Sequence, residues 1–171
     1  MSNHSTLLKP ASAHGLLRTG LLIGLAGGLA EIVVVSLYAA ATGADAAIVA
    51  RQVAAAIGLE GASAASGVLV HMGLAVALGL ALSAVLQILN GRLVRDAAIF
   101  WFMTGSLALV WVINFFVVLP AVSPSFVHLL PYAVTLASKL AFGIAAAAAL
   151  RLHVPVISAQ AAVNSSVSTA L

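Results

Sequence analysis

Leu16–Thr42 reads LLRTGLLIGLAGGLAEIVVVSLYAAAT, and beyond Arg18 it carries a single charge, Glu31. A water-exposed helix keeps one polar face, and this one has none. A hydrocarbon layer of about 30 Å needs roughly 20 residues of this kind. Working outward, three more stretches qualify: Ser66–Leu89, Ala97–Leu119 and Tyr132–Leu152. Asn90-Gly91 breaks the second, Pro120 closes the third, Pro131 precedes the fourth, and Pro155 should stop it. A proline before a helix costs no hydrogen bond, whereas inside one it removes a donor. The length of the first run and the acid within it argue against reading Tyr38–Ala41 as a secretory cleavage site.

The rest of the chain agrees. Of 171 residues, 63% are hydrophobic and 6% charged, where a soluble domain carries about a quarter charged. Mean hydropathy is +1.20. This excludes a soluble cytosolic enzyme, a nucleic-acid binder and a disordered chain. The absence of Cys excludes disulfides, thiolate metal sites and cysteine nucleophiles. Lipid-exposed strands are forbidden, so the expected fold is all-α: a four-helix transmembrane bundle spanning 16–152, with tails at 1–15 and 153–171.

Orientation follows from the basic residues. With the N-terminus cytoplasmic, Lys9, Arg18, Arg92, Arg95 and Arg151 fall inside, and only Arg51 falls outside. Both termini are then expected in the cytoplasm. Asp45 to Gly58 has capping residues at its ends, with Ile48, Val49, Val53, Ala56 and Ile57 at helical spacing. It is too short to span, which predicts an amphipathic helix lying in the first outer loop. The two halves show no residue match that would mark a duplication.

Lipid gives helices no hydrophobic reason to associate, so small and polar residues mark the contacts. Gly20, Gly24 and Gly28 form one such stripe. Gly67, His71, Ala75, Gly79, Ser83 and Gln87 form a second, with Leu69, Val76, Leu80 and Leu82 pointing elsewhere. Thr135, Lys139, Gly143, Ala147 and Arg151 form a third, and Thr104, Trp111 and Asn114 are the inward members of the remaining helix.

Glu31 and Lys139 are the informative residues. Glu31 lies roughly 20 Å beyond Arg18, and Lys139 roughly 18 Å before Arg151, at 1.5 Å per residue. Both reach one depth near the bilayer centre, where a charge costs about 2.5–3.5 kcal/mol on insertion scales. An ion pair between the first and fourth helices is therefore expected, either as a register device or as part of a proton- or ion-conducting path. Counted from Arg92 and Arg95, His71 and Asn114 fall near the outer interface, and His128 falls in the second outer loop. These three are a candidate polar or ligand cluster, although nothing in their spacing imposes Zn²⁺, Cu²⁺ or haem. No metal and no cofactor is expected.

No phosphate-binding loop, Ser-His-acid set or carboxylate dyad can be assembled, so the chain does not read as an enzyme. The leading expectation is a small accessory or assembly subunit, working through small-residue helix faces with other membrane subunits of a respiratory or photosynthetic complex, or as a homo-oligomer. The alternatives are a small oligomeric ion- or proton-coupled transporter or channel using Glu31 and Lys139, and a metal- or cofactor-binding membrane protein using His71 and His128. WVINFFVVLP (Trp111–Pro120) and PYAVTLASKLAFG (Pro131–Gly143) set in this pattern resemble small four-helix bacterial inner-membrane proteins. That resemblance implies a bacterial inner (plasma) membrane, with the lipid bilayer as the first partner.

Overall fold

Helix α1 (Ala13–Thr42) ends where Gly43 takes a positive φ of 72°, a conformation that costs glycine little. The computed structural model describes residues 13–89 and 96–169, with side chains as far as 152 apart from Asp96. All regular structure among the described residues is helical. Four helices are long and apolar enough to cross a membrane: Ala13–Thr42, Ala64–Ile88, Ala97–Val122 and Tyr132–Leu152. The chain is a multi-pass membrane protein on this ground. The expectations resting on Lys9, Arg92 and Arg95, and on most of the N-terminal tail, lie outside the described residues.

Helix α2 (Ala46–Ala55) is capped by Asp45, whose side chain accepts from the Ala47 N–H at 2.8 Å. Helix α3 (Ala64–Ile88) is capped by Ser63, which accepts from the Ser66 N–H at 3.1 Å. Helix α4 (Asp96–Ile113) continues through a π-helical turn, Asn114–Val118, into α5 (Leu119–Val122). Helix α6 (Pro124–Val127) is a single turn, and α7 (Tyr132–Thr169) closes the chain.

Two helix ends differ from the sequence reading. Pro120 does not close the third span, because the backbone absorbs it. In the π turn the Leu119 N–H reaches back five residues to the Asn114 carbonyl, widening the helix where the proline ring would crowd the Phe116 carbonyl. Pro155 does not stop α7 either, so 153–169 is helix rather than an unfolded tail. A proline deletes one backbone bond, which an otherwise strong helix can bypass.

The helices pack as a row: α3 against α1, α1 against α7, α7 against α4. Helices α3 and α4 share no extended contact among the described residues. Side chains of Ile23, Ala75, Leu82, Met103, Leu107, Phe142, Ala146 and Ala147 form the buried centre. Leu82, read from sequence as pointing away, is part of it at 6% exposure, because a helix in the row is contacted over more than one four-residue stripe. Leu17, Leu21, Leu25, Leu29, Val33 and Leu37 form the exposed apolar edge of α1.

Glycines set the spacing. A Cβ on Gly24 would meet the Ala75 carbonyl oxygen and the Val76 Cα at 2.7 and 2.5 Å, and one on Gly79 would meet the backbone of Gly20 and Gly24. Gly27 receives the Phe142 ring on α7, and Gly143 receives the Thr104 backbone on α4. Gly67 lies instead under the Ala50 backbone, docking α2 onto α3.

Candidate functional site: a charge cluster on three helices

The close approach of α1 to α3 and α7 has an electrostatic consequence. Glu31 is buried at 4% exposure, and Lys139 Nζ lies 2.6 Å from its Oε1. A hydrogen-bonded ion pair of this length is the low-cost way to hold a carboxylate in an apolar surrounding. The ammonium also stands 6.0 Å from the centre of the Phe142 ring, whose face contributes a weak attraction.

A third group joins them. His71 Nε2 on α3 is 3.6 Å from Glu31 Oε2 and 3.3 Å from the Gly28 carbonyl oxygen. Sequence spacing groups His71 with Asn114 and His128 near one surface, and among the described residues no hydrogen bond or ion pair joins any two of them. Asn114 opens the π turn with a half-buried side chain. His128 follows α6, in a groove of about 270 Å³ lined by Phe115, Phe116, Pro120, Pro124, Val127 and Tyr132. Among the described residues no three His, Asp or Glu are arranged to hold a metal.

Depth counted from Arg18 and Arg92 sets Glu31 and His71 apart, because Arg18 lies five residues inside α1 and Arg92 four beyond Ile88. Counted between helix ends the two agree. His71 is roughly 26 Å from Ile88 and Glu31 roughly 27 Å from Ala13, at 1.5 Å per residue. The usable signal was the glycine stripe: once Gly28 meets Ala75 and Met72, the residue one turn before Ala75 stands beside the turn holding Glu31.

The neighbouring packing stripes are satisfied locally. Ser83 donates to the Leu16 carbonyl at 3.1 Å, joining α3 to the start of α1. Trp111 Nε1–H donates to Thr135 Oγ1 at 2.9 Å, and Thr135 donates to the Tyr132 carbonyl. Trp111, Phe115, Phe116 and Tyr132 then pack ring against ring, with centroids 5.6–6.2 Å apart. Ala147 is fully covered beside Ala146 in the centre. Thr104 Oγ1 is the exception, buried without a hydrogen-bond partner among the described residues.

No protein family, no curated protein and no solved structure matches this chain.

Proposed function

We propose that this protein is a non-enzymatic, multi-pass membrane subunit that works by lateral association, with a second copy or with a larger membrane complex. The observation that carries this reading is an unspent small-residue face. Gly73, Ala77 and Ala81 recur every four residues on α3, opposite the face that meets α1, and all three are exposed. A Cβ on Gly73 would meet nothing within 4 Å. Small residues on a lipid-facing helix leave a shallow groove that another helix fills better than acyl chains do.

The positive-inside pattern supports a topology with both termini cytoplasmic and α2 on the outer surface of a bacterial inner membrane. There α2 would shield the α1–α3 end and present Arg51 and Asp45, which pair with each other at 3.5 Å.

The natural lack of Cys makes the test clean. Single cysteines at Gly73 or Ala77 should form oxidative cross-links in native membranes, to a second copy or to a stoichiometric partner. One at the exposed Leu109 on α4 should not. If neither α3 position cross-links and the protein purifies gently as a lone monomer, the association reading fails.

A further inference from the structure

Glu31 has two carboxylate oxygens in unequal circumstances. Oε1 is held by Lys139 at 2.6 Å. Oε2 faces His71 Nε2 at 3.6 Å, too far for a hydrogen bond. The same Nε2 faces the Gly28 carbonyl oxygen at 3.3 Å. Both neighbours of this nitrogen are acceptors, so the neutral ring must carry its hydrogen there, because a bare lone pair would be repelled by each. The other lone pair is then on Nδ1, which has no hydrogen-bond partner among the described residues.

A register lock needs two opposite charges, and Glu31 with Lys139 supplies them. A third titratable ring beside the pair adds a place for one more positive charge next to a carboxylate oxygen with spare capacity. We propose that Glu31, His71 and Lys139 form a proton-binding site within the membrane-spanning region. A hydronium ion gives its proton to His71 Nδ1 and leaves as water. The resulting imidazolium is held through Nε2–H by Glu31 Oε2, which closes the 3.6 Å gap. The carboxylate is then shared between α3 and α7 instead of being committed to α7.

The ligand is a proton and not a metal cation. One carboxylate already occupied by an ammonium, plus one imidazole, falls far short of the six to eight oxygens Ca²⁺ takes or the octahedron Mg²⁺ takes. Access follows burial: the side chains of His71 and Lys139 are 24% and 17% exposed, against 5% for Glu31. His71 also stands two turns from the start of α3, toward the α2 end.

The surroundings add no competing charge. Helix α2 packs on α3, but Asp45 at its cap and Arg51 are exposed and paired to each other, and Glu60 in the loop between the two helices is exposed. The third span, Ala97–Val122, which packs on α7, contains no Asp, Glu, Lys, Arg or His. Arg18 and Arg151 stand toward the far ends of α1 and of the fourth span, and His128 is exposed beyond α6. The charges nearest each member of the cluster are therefore the other members.

The experiment is nitrogen-15 NMR of histidine-labelled full-length protein in lipid, titrated between pH 5 and 8. His71→Gln should remove one titrating imidazole. In the unsubstituted protein that imidazole should begin with its hydrogen on Nε2 and gain the proton at Nδ1. In the charge-free pair Glu31→Gln with Lys139→Met it should stop titrating in this window. Failure of His71 to titrate, a neutral form with its hydrogen on Nδ1, or an unchanged titration in the charge-free pair would each overturn the proposal. The first two outcomes need no variant beyond the assignment, so a misfolded double variant leaves the proposal testable.

Discussion

The α1–α3 contact and the α4–α7 contact solve the same problem by different means. Neither gains from expelling water, since acyl chains are as apolar as leucine. Between α1 and α3 the backbones themselves touch, through Gly20, Gly24 and Gly79, and polar groups sit where the helices are closest. Between α4 and α7 the backbones come close at Thr104 and Gly143. Toward the α2 end the contact passes to Trp111, Phe115 and Tyr132, whose rings fill space the backbones leave open. The first contact tolerates no added atom but accommodates charge. The second tolerates changes of shape but depends on ring area. That contrast ranks the ways in which the fold can be broken.

The largest expected effect is Lys139→Met, which leaves the Glu31 carboxylate buried and uncompensated. Removing one member of a buried pair costs about 3–5 kcal/mol, so the midpoint of SDS-induced unfolding should fall sharply. Adding Glu31→Gln should restore most of it. If the single variant unfolds like the unsubstituted protein, the pair does not hold α1 to α7.

Gly24→Val comes next. Its branched side chain would press on backbone atoms at Ala75 and Val76, which cannot rotate away. Overpacking of this kind costs about 1–3 kcal/mol, here at the upper end. Gly105→Val on α4, where a Cβ would meet nothing within 4 Å, is the control and should be close to neutral. Equal losses at both positions would mean that the close backbone approach at Gly24 does not set the cost.

Much of this arrangement could be read in the sequence, for a reason particular residues make plain. Hydrophobic runs, glycine spacing and the isolation of Glu31 and Lys139 are one-dimensional signals, because a helix rises at a fixed rate. Depth counted from Arg18 and Arg92 separates His71 from Glu31, because neither charge marks a helix end. The same fault explains Pro120 and Pro155: a proline marks where a helix is weakened, and the sequence does not say whether a π turn or a bypassed bond will carry it on. The unspent Gly73 face was also hidden, since which of two small-residue stripes on α3 meets α1 depends on the three-dimensional partner.

Trp111→Phe tests the second contact with a smaller effect. It removes the 2.9 Å indole hydrogen bond to Thr135 and part of the ring area packed on Phe115 and Tyr132. Thr135 keeps its bond to the Tyr132 carbonyl, so no buried donor is stranded. The expected loss is about 1 kcal/mol, with the His71 titration unchanged. A change in that titration would mean the two contacts are coupled through α7.

The smallest effect distinguishes two origins of the π turn. If the turn exists because Pro120 cannot donate and crowds the Phe116 carbonyl, Pro120→Ala restores a donor and allows the α-helical register from Asn114 onward. Stability should then rise by about 0.5 kcal/mol, the low end of a single hydrogen bond, since little helix follows before Ser123. The midpoint of SDS-induced unfolding should report that gain. If the turn exists instead because it directs Phe115 inward and Phe116 outward around Trp111, the alanine will keep the π geometry. Stability will then be unaltered, and the aromatic cluster rather than the proline sets the backbone at this end of α4.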